Sequence, residues 1–470
     1  DVLVIGCGFA GSVAAVSAAE KGAQVTVVEK ASQPSGRGAH ITAFGSKIIQ
    51  GILDEGYITE DQMDYAQIVR NWIRWSQGRL NERHLWKFAH KSGACMDWLQ
   101  DKLEEQGLHG TLWCDFFKGP DYTEWPVTHF FYDDTTDFVY LNGVSHGLGM
   151  DIILPALKTI GEGMGVEYMF DTQALRLVRP GNEGAVTGAI VQNEDGTYTQ
   201  INAQSVILAA GDYSADTDMM NTYNPWALKA ADERLYIPQW VNTGDMHKAA
   251  LWIGAAMQKN DSHAACMHLE SGAQSYNFLH VNGKGERFMN EDVNTQSKSS
   301  GKALWGDKRA FTIYDAHGLE KLGKQCEDGL AGGISNGQQY RRFGTPFDFD
   351  VENKLLQAKI DDRSSAASDV YKRQLKATLL SASGGLHCDE TCHVLDANDE
   401  VIPGLLVCGT NAGDFHGSGD YPTICPGINH GRCLTFGRIA GIEAAGGTDD
   451  EIADYNLNMP VGGGIGRSTL

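Results

Sequence analysis

The residues best suited to chemistry crowd one stretch, HGSGDYPTICPGINHGR, which spans His416 to Arg432. Tyr421 carries a phenol that can donate to a carbonyl or pass a proton to carbon. His416 is placed to approach a cofactor or a substrate, whereas His430, one turn into a helix, reads as a buried structural imidazole. Arg432 either binds an acidic substrate or pairs with an acidic neighbour. Together these groups can polarise an oxygen and protonate a carbon, but hydride chemistry needs a cofactor. The other end of the chain shows where one is held.

The chain opens DVLVIGCGFAGSVAAVSAAEKGAQVTVVEK. Asp1 to Ile5 is a nearly unbroken apolar run, as a buried parallel strand requires. Gly6 makes the tight turn, and Gly8 lets backbone N–H groups approach a pyrophosphate. Phe9 and Ala10 open a small-residue helix, and Gly11 lets that helix pack closely on the strand. The helix closes at Gly22. A second strand, Val25 to Val28, ends on Glu29 and Lys30, where a carboxylate accepts from ribose hydroxyls and disfavours a 2′-phosphate. Strand, glycines, helix, strand and acid follow in order within thirty residues, which defines a dinucleotide cradle without separating NAD from FAD.

Three later segments favour FAD. GRGAHITAFGS is a glycine-rich turn suited to backbone approach to a flavin, and it supplies Gly36, Gly38, Ala39 and His40. INAQSVILAAGDYSAD holds a buried strand, Val206 to Ala209, that ends in Ala210 and Gly211. A strand from Leu405 to Cys408 runs into Gly409 and Thr410, then a long loop, then a helix beginning near Gly427 and Ile428. The free N–H groups of that helix can face the pyrimidine end of a flavin and stabilise its negative charge on reduction. Ala174 and Asp245 complete the cofactor set.

Bulk properties bound the rest. A chain of 470 residues exceeds one ordinary core, so several domains, or one α/β domain with an insertion, are expected. The formal net charge of -22 disfavours nucleic acid and anionic membrane surfaces as partners. It leaves room for an anionic substrate in a locally basic pocket. The ten cysteines include no C-x-x-C pair, and in CDETCH (Cys388, Cys392, His393) they stand one residue too far apart for haem attachment. No metal is expected. No apolar run is long enough to span a bilayer. The chain starts inside a strand with no signal peptide ahead of it, which points to the cytoplasm, or to export if an upstream segment carries a signal. DRSSAASDVYKRQ (residues 362–374) resembles the translated adapter read-through that contaminates metagenomic assemblies, and no selected function is expected there. Leu112 to Asp134 is dense in aromatics, either as local core or as a wall of the substrate pocket.

The ordered pieces resemble the flavoprotein family that contains soluble fumarate reductases, succinate dehydrogenase flavoprotein subunits and 3-oxosteroid Δ1-dehydrogenases. They are the N-terminal cradle, VILAAGDYSAD, NTGDMHKAALWIGAAM, GKGERFMNED, SGGLHCD, IPGLLVCGTNAG and FGRIAG. The resemblance implies an α/β fold with a Rossmann-like FAD-binding domain of the GR2 type. That domain would be discontinuous, covering residues 1–258 and 381–446, with an inserted α+β clamp over 259–380 and a tail over 447–470. It also implies residue roles that this chain changes. Thr295 or Gln296 stands where the fumarate reductases carry their proton-donating arginine. Ser381 replaces a carboxylate-binding histidine, position Ile424 a second substrate arginine, and Lys284 a relay carboxylate. Arg287 is retained and joins the catalytic candidates. The steroid dehydrogenases carry a Tyr-Pro-Gly run before the last helix, and here Tyr421 lies two residues further from it. His40 stands near the covalent attachment point of succinate dehydrogenase, but the spacing differs, so noncovalent FAD is expected. Lys298 and Lys302 read as solvated clamp surface.

These observations predict an FAD-dependent oxidoreductase that reduces a C=C bond conjugated to a carboxylate or carbonyl, with fumarate itself disfavoured. The substrate would be a small unsaturated acid or ketone. An external haem protein, quinone-pool component or reduced flavin would supply the electrons. The alternatives are a ketone dehydrogenase of the 3-oxosteroid kind and a flavin-binding protein without substrate turnover.

Overall fold

The computed structural model describes residues 1–36, 38–56, 58–113, 122–134, 149–234, 241–260, 262–270, 278–306, 309–315, 362–363, 370–418, 421 and 424–455. Its centre is a six-stranded sheet. The opening apolar run forms β1 (Val2–Ile5), flanked by β2 (Val25–Val28) and β10 (Ser205–Leu208), both parallel to it. Outside these lie β6 (Glu167–Met169) next to β2, and β18 (Val401–Val407) next to β10. The antiparallel strand β17 (His393–Leu395) closes one edge, giving the order β17-β18-β10-β1-β2-β6. Successive β1 residues serve opposite faces. Val2 and Val4 enter one core cluster, and Leu3 and Ile5 enter another. A continuous apolar strand is the pattern that a sheet covered on both sides demands.

One cover is built from the two ends of the chain. The first helix, Phe9–Glu20, lies beside the last, Ile428–Ala444. Small residues bring them backbone to backbone: a Cβ on Gly437 would lie 2.7 Å from the Ala10 carbonyl oxygen, and one on Gly441 would lie 2.4 Å from that of Ala14. The helix Glu82–Glu104 packs beneath the last helix. Residues 448–455 fold back along it, with Lys87 paired to Asp449 at 2.5 Å and Tyr455 donating to Asp97 at 2.7 Å. The other face is covered by the sheet of β7 (Gln173–Leu177), β8 (Gly188–Gln192) and β9 (Tyr198–Asn202), together with the helix Asp245–Trp252.

A second sheet is organised around one long strand, β16 (Val370–Ala382). It pairs with β11 (Glu233–Arg234), β12 (Ala265–Glu270), β14 (Ala310–Asp315) and β15 (Asp362–Arg363), and β13 (Leu279–Val281) joins through β14. Its core gathers Ala265, Ala310, Leu375 and Leu379 with Met219, Met220 and Ala227 from the segment before β11. In the adapter-like stretch, residues 362–363 and 370–374 occupy strands, while 364–369 lie outside the described residues. No described helix is long and apolar enough to cross a membrane. CDETCH forms a tight turn: the Asp389 carboxylate accepts from the Thr391 and His393 N–H groups, and Cys392 is buried.

Candidate active site

The carboxyl ends of β1, β2, β10 and β18 lie side by side, which is where open parallel sheets bind ligands. Gly6 leaves β1 at φ +106°, and a Cβ there would sit 2.4 Å from the Ala209 carbonyl oxygen. A Cβ on Gly11 would sit 2.0 Å from the Gly6 carbonyl oxygen. No side chain caps the first helix at Gly8, so its N-terminus stays open to an anion. The Glu29 carboxylate is locked beside the turn, accepting from the Cys7 N–H at 2.7 Å and the Ala31 N–H at 2.8 Å. Lys30 and Asp245 pair with each other at 3.0 Å. Asp245 also accepts from Gln173 at 3.1 Å, next to buried Ala174. These three therefore fasten the cradle to the helix Asp245–Trp252.

The glycine-rich turns meet at the far end. His430 Nδ1 donates to the His40 carbonyl at 2.8 Å, and its ring fills the space a Gly38 side chain would need. Gly427, at φ +90°, abuts the His40 backbone, and a Cβ on Gly36 would lie 3.0 Å from the Leu154 side chain. Gly409 sits against Ala10, and Asn411 beyond Thr410 accepts from the Ala210 N–H at 3.2 Å, next to Gly211. The N–H groups at the start of the last helix are less free than the sequence suggested. That of Ile428 returns to the Cys425 carbonyl, and that of Asn429 donates to the Tyr421 hydroxyl at 3.0 Å.

Three of the four catalytic candidates converge there. Tyr421, His416 and Arg432 are all buried. The His416 ring lies 4.4 Å from that of Tyr421 and stacks on Trp72. Arg432 Nε donates to Asn429 Oδ1 at 2.8 Å, and its guanidinium lies over Phe415. Among the described residues, neither Nη1 nor Nη2 of Arg432 has a hydrogen-bond partner, and a cavity of about 10 Å³, room for about one water, borders the residue. Burial pushes the Tyr421 phenol well above its ordinary value, so it stays protonated. Burial, then the Arg432 charge, holds His416 well below the ordinary imidazole range. At neutral pH the site thus presents a phenol, a neutral imidazole and a cation. Asn429, which organises them, carries no signal in the sequence beyond its position at the helix start. Arg287 stands apart, bonded to Glu291 and the Met289 carbonyl on the second sheet's side.

A second polar group escaped the sequence reading. Tyr213 and His263 share a 2.5 Å hydrogen bond, and His263 Nε2 is buried with no partner among the described residues. The His263 ring occupies the space above Gly384, and its backbone bridges to Ser418, two residues after His416. Burial lowers its pKa to about 4, so it too is neutral. Lys298 and Lys302, expected on the surface, are fully buried. Lys302 pairs with Asp232, while Lys298 lies in the field of Glu124, Glu291 and Asp292, and burial still drives its pKa well down. Gln296 donates to the Cys266 sulfur at 3.7 Å, whereas the Thr295 side chain lies outside the described residues. Among the described residues, no His, Cys, Asp and Glu groups are arranged to hold a metal.

The loop before His416 is fastened by a charged clasp. His387 donates to Asp414 at 2.6 Å and to Asp399 at 2.9 Å. The Asp414 hydrogen bond is the main cause that raises its pKa above the ordinary 6.5. A raised value means that the clasp contributes fully below about pH 6.5 and is lost as pH rises through the folded-state value. Melting temperature in the wild type should therefore fall from pH 6 to pH 8.5 by more than in His387→Gln. Equal slopes in the two proteins would remove the clasp from the account.

The fold and this site define a dinucleotide-binding flavoprotein oxidoreductase. The chain belongs to the FAD binding domain family, whose model matches residues 1–420. A vinyl phenol reductase of Lactiplantibacillus plantarum is 24% identical over 513 residues, covering 95% of this chain and 96% of that protein. A urocanate reductase of Eggerthella lenta is 26% identical, covering 95% and 74%. Among solved structures, a 3-ketosteroid-Δ4-(5α)-dehydrogenase from Rhodococcus jostii superposes with TM-score 0.67 at 19% identity, covering 95% and 96%. The open conformation of a flavocytochrome c3 fumarate reductase gives 0.64 at 22%, covering 95% and 78%. The cofactor is FAD, and the residues present fit it: an uncapped helix start for the pyrophosphate, a fixed carboxylate for the ribose, and side-chain-free turns toward the last helix.

Proposed function

We propose that the protein reduces a carbon–carbon double bond conjugated to a carboxylate or carbonyl, on a small molecule other than fumarate. The observation that carries this reading is a protonated phenol and a guanidinium, its Nη1 and Nη2 without a hydrogen-bond partner among the described residues, hung on one residue, Asn429. Gly6, Gly8, Gly11 and Glu29 would hold the adenine half of FAD. Gly36 to His40, Ala210, Gly211, Gly409, Thr410, Gly427 and Ile428 would hold the flavin half. Residues 1–258 and 381–446 would form this cofactor part, apart from Met219, Met220, Ala227 and β11, which pack with the second sheet, 259–380 the clamp, and 447–470 the tail.

Bound FAD supplies the hydride equivalent for the β-carbon. Arg432 draws on the conjugated oxygen, which makes that carbon electrophilic. Asn429 N–H occupies a lone pair of the Tyr421 oxygen, so the phenol proton is directed away from the helix and toward the α-carbon. His263 Nε2 offers a further neutral donor. The reductases named above support reduction, and Thr295 or Gln296 in place of the proton-donating arginine, with Ser381 and Ile424 in place of carboxylate-binding residues, argue against fumarate. Electrons come from an external donor.

A second reading, dehydrogenation of a ketone, is favoured by the same tyrosine, since a fixed phenol also polarises a ketone. One anaerobic panel separates the readings. Cinnamate, urocanate or 4-phenylbut-3-en-2-one should reoxidise the reduced flavin stoichiometrically, and fumarate should not. Bleaching of the oxidised protein by a saturated 3-oxosteroid would establish the dehydrogenase instead. No response to any compound would leave a flavin binder without turnover.

A further inference from the structure

Arg432 is unusual in being buried and charged with two guanidinium nitrogens that have no hydrogen-bond partner among the described residues. A buried cation is normally matched by a carboxylate, because leaving it alone costs several kcal/mol. Among the described residues the side chain that hydrogen-bonds it is an amide, while the Asp212 charge acts on it without a hydrogen bond to either Nη. Asn429 Oδ1 takes Nε at 2.8 Å and orients the guanidinium without cancelling its charge. The same residue holds Tyr421 through its backbone N–H, so the two functions are separable: a side-chain substitution frees Arg432 and leaves the tyrosine bond available. His416, beside Asn429, is neutral and adds no compensation.

We infer that Asn429 is the specificity-determining residue that reserves this site for anionic substrates, by orienting Arg432 while keeping its charge free. The inference rests on the reading of Arg432 as the group that meets the substrate oxygen. Asparagine and aspartate are nearly the same shape. A carboxylate at 429 would form a buried ion pair with Arg432, and the site would then bind neutral carbonyl compounds in place of acids.

The test measures binding to the oxidised holoprotein, by flavin difference spectra with two saturated probes, 3-phenylpropanoate and 4-phenylbutan-2-one. Wild type should favour the acid. Asn429→Asp should raise the Kd of the acid by about 30-fold or more and move that of the ketone by less than about threefold. Asn429→Ser, which keeps an uncharged acceptor, should retain the preference for the acid. Flavin content and melting temperature confirm that each variant is folded. If Asn429→Asp yields no holoprotein, Asn429→Ala decides, because losing Oδ1 should weaken acid binding about tenfold and leave the ketone unchanged. Wild type that binds the acid, with an unchanged acid-to-ketone ratio in the variants, overturns the assignment to Asn429 alone. Wild type that binds neither probe overturns the reading of the site and this inference with it.

Discussion

Tyr421→Phe should purify yellow, with a full complement of FAD, and turn over its unsaturated substrate about 10²–10⁴ times more slowly than wild type. The ring is retained by the substitution, so its 4.4 Å contact with His416 survives and the surrounding aromatics need not repack. Only the hydroxyl is lost, and it has two roles. Its lone pair caps the Asn429 N–H at 3.0 Å, and in the proposed reaction its proton is the acid. An unfilled cap on a partly buried N–H costs about 1–3 kcal/mol, which predicts a lower melting temperature as well. Rapid mixing separates the two effects. Chemical reduction of the flavin should proceed at the wild-type rate, and reoxidation by substrate should be slow. Because burial lifts this phenol well above its ordinary value, it should contribute no ionisation to the wild-type rate profile between pH 6 and pH 9. A variant that reoxidises within twofold of wild type would transfer the proton-donating role to another group, of which His263 is the nearest in character.

What could be read before folding was local. The cradle is written in thirty consecutive residues, since strand, turn and helix depend on neighbours and glycine spacing. Each of the two turns closing the far end is equally local. Their meeting is not: His430 bonds the His40 carbonyl across 390 positions, and no pattern in either segment announces the other. The reactive residues were found by type, but their organiser was missed, because Asn429 acts through a backbone N–H and one amide oxygen and any helix start could carry it. Lys30 and Asp245, candidates for the cofactor by position, also pair with each other, 215 residues apart. The lysines of the helix Thr295–Trp305 show the opposite failure. Lys298 and Lys302 look solvated because lysine usually is, but carboxylates from distant segments, Asp232 and Glu124 among them, make burial tolerable. Tyr213 and His263 lie fifty residues apart and are joined only when β12 crosses β16 beside Gly384. Sequence locality thus explains why the turn and helix of the cradle were legible and the cluster around Arg432 was legible only as a parts list.

The three glycines of the cradle do not carry equal loads, and substitution should separate them. Gly11→Val should give insoluble or colourless protein. Its Cβ would lie 2.0 Å from the Gly6 carbonyl oxygen and 3.3 Å from the Ala209 side chain, both fixed by β1 and β10, so the helix must lift off the sheet. Overpacking a well-filled core typically costs about 1–3 kcal/mol, and here the obstacle is backbone, which cannot rotate away. Gly8→Ala should behave differently. The backbone at Gly8 has φ -76°, which any residue adopts, and a Cβ there meets only the Ser35 carbonyl oxygen at 3.4 Å. The apoprotein should therefore fold and melt close to wild type. The added methyl group stands where the pyrophosphate must approach the helix start, so the Kd for FAD should rise about tenfold or more, as read by flavin fluorescence on titration. If Gly8→Ala retained wild-type affinity for FAD, the phosphates would have to lie elsewhere along the strand ends, and the placement of the flavin against the last helix would move with them.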